Sequence, residues 1–261
     1  MLPSLAMDIA LTRGVSPSID RCELTHIARE PIDLARAIAQ HDVYCQRLEA
    51  LGLEVVRLTA DEACPDCCFV EDTAVVLDEV AILTPLGTPA RRAESPAIEE
   101  ALSRYRSIAR IELPATLEGG DVLRVGRRIF VGRTTRTNAA GILALRAIAA
   151  PLGYEVTPLD VTGCLHLKSA VTALDEETVL ANPRWFDAAP LSPLRVVTVA
   201  ESEPGAANVL AVRGEVWAHP GFPRSNEALA ALGYRTIPVD ISEFIKAEAA
   251  LTCKSVLFRR L

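Results

Sequence analysis

The chain has 261 residues, half of them apolar and only 5% aromatic, and a formal net charge of −7. This length suits one closed α/β domain over residues 1–261, with a core of small aliphatic side chains. An acidic chain without clustered Lys and Arg is not expected to bind nucleic acid. The charge suits a cationic small-molecule partner, although solubility alone also explains it.

The location in the cell is predicted from the first residues and from the cysteines. Residues 1–14 show no basic segment followed by an apolar run, so no secretory leader is expected. No stretch approaches the roughly 18 apolar residues of a membrane-spanning helix. The seven cysteines are odd in number, which favours reduced thiols. We therefore predict a cytoplasmic protein without a membrane partner.

Hydrophobic periodicity predicts alternating strands and helices along the chain. A first strand at 7–11 is followed by a helix at about 32–51, and further helices are predicted at about 93–105, 138–152 and 225–232. Short strands fill the remaining segments: 53–58, 74–77, 80–83, 107–111, 122–125, 128–131, 154–157, 167–174, 178–181, 195–199, 209–212, 215–218, 234–239 and 255–258.

Turn residues divide these elements. Leu-Gly pairs at 51–52, 152–153 and 232–233 mark helix C-caps, because glycine adopts the left-handed conformation there. The segment 14–24 is rich in Gly, Ser, Pro and Asp and is predicted to be a loop. Strand pairs between helices, without a G-x-G-x-x-G after the first strand, predict an α/β fold that is not of the Rossmann type.

A C-x-x-C sequence at Cys64-Pro65-Asp66-Cys67 could indicate metal or redox chemistry. A structural zinc site needs a second ligand pair at suitable spacing, and the four histidines are scattered along the sequence. A redox motif favours the start of a helix after a strand, whereas a strand-like run follows here. Neither a metal nor another cofactor is therefore expected.

Three residues far apart in sequence have the side chains of a cysteine-nucleophile site: Cys253, His166 and Glu118. Each has a simpler explanation. A cysteine near a chain end often packs in the core, a histidine between leucines is often a satisfied core residue, and Glu118-Gly119-Gly120-Asp121 reads as a turn. Together with the neighbouring motifs, the three point to catalysis.

Six motifs in one order resemble the dimethylarginine dimethylaminohydrolase family of the guanidino-modifying (pentein) superfamily. They occupy 64–72, 91–92, 117–122, 136–138, 165–169 and 251–253, and they cover nearly the whole chain. The resemblance implies a five-bladed α/β propeller (pentein) of pseudo-symmetric ββαβ units around a polar channel. It implies no cofactor.

The resemblance also implies an activity: hydrolysis of Nω-methylated arginines to citrulline and dimethylamine or methylamine through a covalent thiouronium. A guanidinium carbon is a poor electrophile, so a thiolate suits the attack. Cys253 would be the nucleophile, and His166 would serve as acid and then as base, because its pKa lies near the working pH. Glu118 would orient His166.

The substrate-binding residues are likewise carried over from the family. Carboxylates for the guanidinium would come from Asp66, Glu71 and Asp72. The α-carboxylate would bind Arg91 and Arg136, and the α-amino group would bind the backbone carbonyls of Leu24 and Ala247. If the match to this family motif is shifted by one residue, Arg92 rather than Arg91 would bind the α-carboxylate. The loop at 14–24 would form a lid, and a homodimer is left open.

Two other readings stay open. An arginine or agmatine deiminase of the same superfamily typically carries His-x-Asp, whereas this sequence has His166 and Lys168. Losing one acceptor suits a methylated nitrogen, which donates fewer hydrogen bonds. A non-catalytic pentein protein would be expected to lack the Cys, His or carboxylate, and all three are present.

Overall fold

The structure is a computed structural model that describes residues 7–260; the leader prediction for residues 1–14 falls partly on residues outside this range. Fifteen strands lie within the described range: β1 (Ile9–Arg13), β2 (Glu54–Leu58), β3 (Ala74–Val76), β4 (Val80–Leu83), β5 (Ser107–Arg110), β6 (Val122–Val125), β7 (Arg128–Arg133), β8 (Glu155–Asp160), β9 (Val171–Ala173), β10 (Thr178–Ala181), β11 (Arg195–Thr198), β12 (Leu210–Val212), β13 (Glu215–Ala218), β14 (Arg235–Pro238) and β15 (Val256–Phe258).

Helices connect these strands. The α-helices of residues 7–260 are α1 (Leu34–Ala50), α2 (Ser95–Leu102), α3 (Ala139–Ala149), α4 (Leu167–Ala170), α5 (Pro223–Ala231) and α6 (Ser242–Ile245). Short 3-10 helices cover Ile19–Arg21, Val70–Thr73, Pro89–Glu94, Gly119–Asp121, Ala150–Leu152, Ala189–Leu191, Pro204–Ala207 and Thr252–Lys254.

The strands form five three-stranded sheets of one design: an antiparallel pair and then a parallel neighbour. In four sheets an α-helix connects the parallel pair, which gives a ββαβ unit; the β10–β11 connection instead contains the 3-10 helix Ala189–Leu191. The first strand of every sheet lines a central cavity of about 220 Å³. The sheets therefore surround a channel with five-fold pseudo-symmetry.

The fifth sheet joins the two ends of the described chain. β15 pairs antiparallel with β1, so that Phe258 lies opposite Ile9, and β1 pairs parallel with β2. The backbone N–H of Arg260 donates to Asp8 Oδ2 at 3.0 Å and extends this contact. The ring of sheets is thus closed by hydrogen bonds between segments about 250 residues apart.

Most predicted elements are present with ends shifted by a few residues. The predicted C-caps are confirmed, because Gly52, Gly153 and Gly233 have φ of 81°, 84° and 90°. The strand predicted at 167–174 is wrong in its first half, which forms α4 before β9 begins. The N–H of Leu167 donates to Asp121 Oδ1 at 2.9 Å, so a contact distant in sequence sets the helix start.

A search of residues 7–260 for helices long and apolar enough to cross a membrane finds none.

Replacing Phe258 by Ala tests the closing sheet. Phe258 is buried, packs edge-on against Tyr105 with ring centroids 5.4 Å apart, and lies opposite Ile9. We expect the free energy of unfolding to fall by about 3–5 kcal/mol, measured by urea denaturation. Leu143→Ala, at a side chain 60% exposed, serves as the control and should change it little. Equal effects of the two variants would contradict the packing role of β15.

Candidate active site

Short helical turns place the candidate residues at one end of the central channel. A turn precedes each inner strand: Val70–Thr73 before β3, Gly119–Asp121 before β6, α4 before β9, Pro204–Ala207 before β12 and Thr252–Lys254 before β15. Four of these turns carry or adjoin the predicted residues. Because the five units are alike, equivalent positions of different units converge in space.

His166 and Glu118 form a buried pair. His166 Nε2 lies 2.7 Å from Glu118 Oε2. The other oxygen of Glu118 accepts the N–H of Gly87 at 3.0 Å and lies 3.6 Å from Arg136 Nη1. Burial would raise the pKa of Glu118, but His166, Arg91 and Arg136 lower it to about 2. Glu118 is therefore ionised and can orient and stabilise an imidazolium.

The second nitrogen of His166 faces another carboxylate. His166 Nδ1 lies 3.9 Å from Asp72 Oδ1. Burial would lower the pKa of His166, but Asp72, Asp121 and Glu118 raise it to about 9. A Cβ added to Gly120 would lie 2.6 Å from His166 Nδ1, so glycine is needed for this close approach. His166 is thus cationic at neutral pH.

Asp121 is a site residue to which sequence reasoning gave no role. Its Oδ1 accepts the N–H of Leu167 and its Oδ2 accepts the hydroxyl of Thr134 at 2.7 Å. Burial raises the pKa of Asp121 to about 6. The signal was available in the motif Glu118-Gly119-Gly120-Asp121. Asp121 fixes the start of α4, and thereby His166, which caps that helix.

Glu71 and Lys168 form an ion pair between the site and the central cavity. Glu71 Oε1 lies 2.5 Å from Lys168 Nζ, and Glu71 Oε2 accepts the hydroxyl of Thr252 at 2.7 Å. All three residues also line the cavity. Burial raises the pKa of Glu71. The pair connects α4 with the turn that carries Cys253.

Asp72 and Arg91 are bound to each other in the interior. Arg91 Nη1 donates to Asp72 Oδ2 at 2.7 Å, and Asp72 Oδ1 accepts the N–H of Gly120 at 3.1 Å. Glu94, which the sequence did not single out, accepts two further bonds from Arg91 at 3.0 Å, and Phe69 accepts one at its carbonyl. One N–H of Arg91, on Nη1, is left for a ligand. Arg92 instead donates to the carbonyl of Leu86.

Arg136, Asp66 and Leu24 lie where the site meets the 14–31 segment. Arg136 donates to the hydroxyls of Thr88 and Thr25. Both oxygens of Asp66 accept the N–H of Glu23, at 3.3 and 3.2 Å, and burial raises the pKa of Asp66. Leu24 is half-buried. Ala247, the other predicted carbonyl contact, is buried in the same apolar cluster that Leu24 packs against.

Cys253 is half-buried in the turn before β15. The N–H of Ala250 points to its sulfur at 3.4 Å. Burial and the charges of Glu71 and Asp72 raise the pKa of Cys253 to about 12. The next residue, Lys254, is fully buried, with Nζ 4.3 Å from the ring centroids of both Tyr44 and Phe244. This buried anchor fixes the turn, and the thiol is neutral at pH 7.

One trio of side chains in residues 7–260 has metal-ligand geometry: Asp72, Glu118 and His166, with donor atoms within 4.8 Å of one another. Each is engaged otherwise, because His166 Nε2 contacts Glu118 and Asp72 binds Arg91. The trio therefore suits proton transfer. The cysteines of the C-x-x-C, Cys64 and Cys67, are free and buried, as is Cys68.

Comparison with known proteins identifies the family of this chain. The family described as N,N dimethylarginine dimethylhydrolase, eukaryotic, matches residues 21–179. A protein of Streptomyces coelicolor named N(G),N(G)-dimethylarginine dimethylaminohydrolase is 43% identical over 97% of this chain and 97% of its own length. The chain belongs to the dimethylarginine dimethylaminohydrolase family.

Other members of this family extend the likeness to the structure. A Pseudomonas aeruginosa dimethylarginine dimethylaminohydrolase is 33% identical over 92% of this chain and 94% of its own. The structure of a mutant of the enzyme from that organism, complexed with citrulline, superposes with a TM-score of 0.92, at 32% identity, over 97% of this chain and 99% of the other. The predicted five-bladed α/β propeller is confirmed.

Glu118→Gln tests the charge state of His166. Removing the carboxylate should lower the pKa of His166 from about 9 by about one to three, as measured by NMR titration of the ring protons. His219 serves as the internal control and should titrate unchanged. Because the folded pKa exceeds the ordinary histidine value of 6.5, His166 contributes stability below pH 6.5 that is lost as the pH rises through 9. A pKa of His166 near 6.5 in the unmutated protein would contradict this charge assignment.

Alkylation with iodoacetamide tests the state of Cys253. With a pKa of about 12, the rate at Cys253 should keep rising up to pH 10 without levelling off. Glu71→Gln removes a negative charge and should lower the pKa of Cys253, which moves the rise to lower pH. Mass mapping of the Cys253 peptide, with Cys253→Ser as the background control, measures the rate. An alkylation rate that levels off below pH 9 in the unmutated protein would be inconsistent with a half-buried thiol whose pKa is raised by Glu71 and Asp72.

Proposed function

We propose that this chain hydrolyses Nω-methylated arginines, such as asymmetric dimethylarginine and monomethylarginine, to citrulline and dimethylamine or methylamine. Residues 1–261 would act as one catalytic domain without a cofactor. The observation that carries the proposal is the proximity of these groups: Asp72, whose charge acts on the half-buried Cys253, lies 3.9 Å from His166, and His166 contacts Glu118 at 2.7 Å. The names of the relatives agree with it.

Binding of a cationic substrate would generate the thiolate. In the free protein, Glu71 and Asp72 raise the pKa of Cys253. A guanidinium group between these carboxylates and the sulfur offsets their charge and favours the thiolate, which is the reactive form. The thiol proton leaves to solvent. The nucleophile is thus activated by its own substrate.

In the first step, the sulfur of Cys253 would bond to the guanidinium carbon. The C–N bond to the methylated nitrogen then breaks, and imidazolium His166 gives its proton to the departing amine. The product is an S-alkylthiouronium on Cys253 and a neutral imidazole. The pKa of His166, raised to about 9, supplies the proton donor at neutral pH.

In the second step, neutral His166 would take a proton from water, and the hydroxide would attack the thiouronium carbon. The C–S bond breaks, the electron pair returns to sulfur, and citrulline leaves after its hydroxyl proton passes to the thiolate, which restores the thiol of Cys253. Glu118 stabilises each imidazolium that forms, since it is ionised and 2.7 Å away. His166 therefore ends the cycle protonated, as it began.

The substrate guanidinium would be held by carboxylates that keep free lone pairs. Glu71, Asp72 and Asp66 each accept hydrogen bonds within the protein, but every carboxylate oxygen has capacity for a second. Lys168 occupies one side of Glu71. Fewer free acceptors suit a nitrogen that carries methyl groups, which supports methylated arginine over arginine itself.

The amino-acid end of the substrate would be read by a separate set of groups. Arg136 is proposed as the main ligand of the α-carboxylate, and Arg91 offers its one remaining N–H. The backbone carbonyls of Leu24 and Ala247 would accept the α-amino group. A small cationic amino acid is thus the proposed partner, and reduced, free cysteines support a cytoplasmic setting.

Citrulline release tests the proposal directly. The purified protein should convert asymmetric dimethylarginine and monomethylarginine at least tenfold faster than arginine, measured as kcat/KM by a colorimetric citrulline assay. Cys253→Ser should lower the rate by a thousandfold or more, because a hydroxyl is not ionised at neutral pH. Cys45→Ser, at a cysteine of α1 that contacts Thr12 and His41 rather than a proposed site residue, is the control. Preference for arginine would support the deiminase reading, and no turnover of any of the three would refute the hydrolase.

A further inference from the structure

The 14–31 segment, which includes the lid predicted at 14–24, changes from buried to exposed along its length. Residues 15–22 are largely buried, and Ser16 and Ser18 donate to the carbonyls of Asp61 and Glu62 at 2.7 and 2.8 Å. Residues 25–31 are exposed throughout. We call residues 23–31 the covering segment, because Glu23 contacts Asp66 and Thr25 contacts Arg136, two of the proposed binding residues.

One side chain from the other end of the sequence holds this covering segment. Glu248 Oε2 accepts the N–H of Thr25 at 2.6 Å, and Glu248 Oε1 accepts the N–H of His26 at 2.9 Å. Both carboxylate oxygens are thus used on consecutive backbone amides. Such charge-assisted hydrogen bonds are stronger than those between neutral groups.

The backbone of Glu248 is in the left-handed region, with φ of +56°. Glycine adopts this conformation freely, whereas a residue with a Cβ does so at a cost. A glutamate at a position that favours glycine indicates that its side chain has a use there. In residues 7–260 one other non-glycine residue, Arg213, has positive φ, and it lies in the turn between β12 and β13.

We propose that Glu248 is a positioning residue for the amino-acid end of the substrate, an inference that rests on the proposed function. Glu248 follows Ala247, and Thr25 follows Leu24, so the contact fixes the spacing of the two backbone carbonyls proposed to accept the α-amino group. Thr25 also accepts a bond from Arg136, the proposed α-carboxylate ligand. The contact of Glu248 with Thr25 thereby positions both the carbonyls proposed for the α-amino group and the arginine proposed for the α-carboxylate.

Neighbouring contacts hold the far end of the covering segment. Lys246 Nζ donates to the carbonyl of Pro31 at 3.2 Å and lies 2.7 Å from Glu243 Oε2, which accepts the N–H of Asp33 at 2.9 Å. These bonds stay intact when the Glu248 contact breaks. Residues 23–30 are thus the part whose position depends on Glu248.

Three variants separate the side-chain contact from the backbone conformation. Glu248→Gly removes the carboxylate and suits positive φ, Glu248→Ala removes the carboxylate and keeps the strain, and Glu248→Gln keeps one amide acceptor. We expect both Gly and Ala to raise KM for dimethylarginine at least tenfold with kcat changed less than threefold, and Gln to be intermediate. Gly should have the higher Tm of the two. Arg213→Gly, the matched positive-φ control, should leave KM unchanged.

Two further readouts make the outcome decisive. Hydrogen exchange at the amides of Thr25 and His26 should be faster in all three Glu248 variants, whether or not the protein is active. Turnover of methylguanidine, which lacks the amino-acid end of the substrate, should be equal in the unmutated protein and in the three Glu248 variants. If Glu248→Gly has the KM and the exchange rates of the unmutated protein, the positioning role is overturned. If the unmutated protein does not turn over dimethylarginine, the proposed function fails instead, and the exchange result still decides whether Glu248 holds the segment.

Discussion

The ion pair of Glu118 and His166 is buried, with side-chain exposures of 0% and 5%, and both partners must still carry charge. Isolated charges at this depth would be neutralised by proton transfer, since burial disfavours ionised forms. Arg91 and Arg136 act on Glu118, and Asp72 and Asp121 act on His166, so each charge is offset from two sides. The site is consequently a chain of alternating charges, and removing any member changes the proton affinity of the next.

The alternation of positive and negative side chains explains how several carboxylates can lie near the neutral thiol of Cys253. Burial and the negative charges of Glu71 and Asp72 raise the pKa of Cys253 and keep its sulfur unreactive toward solutes that carry no positive charge. The same field attracts a guanidinium. The negative charges around the pocket would therefore contribute both to the protection of Cys253, the proposed nucleophile, and to the selectivity for a cation.

Sequence reasoning found the groups that belong to compact motifs. Periodicity and turn residues predicted the helices and their glycine C-caps. Local motifs singled out Cys253, His166 and Glu118 as candidates. The helix α4 and the role of Asp121 could not be predicted, although Asp121 stands in a motif that was singled out, because the bond from the N–H of Leu167 to Asp121 crosses the fold. The lone pairs and N–H groups that remain free for a ligand depend on such distant contacts. No local sequence pattern encodes these contacts.

The closing sheet also explains why Cys253 stands so late in the sequence. β15 lies beside β1, and Arg260 is hydrogen-bonded to Asp8, so the described chain is nearly a circle. In a ring of five similar units, which unit comes first or last in the sequence depends on where in the ring the chain begins. A permuted gene that joins these ends and opens the chain between two other units would place the cysteine in mid-sequence and leave the pocket unchanged. The position of Cys253, the proposed nucleophile, in the linear sequence is therefore independent of the chemistry proposed for it.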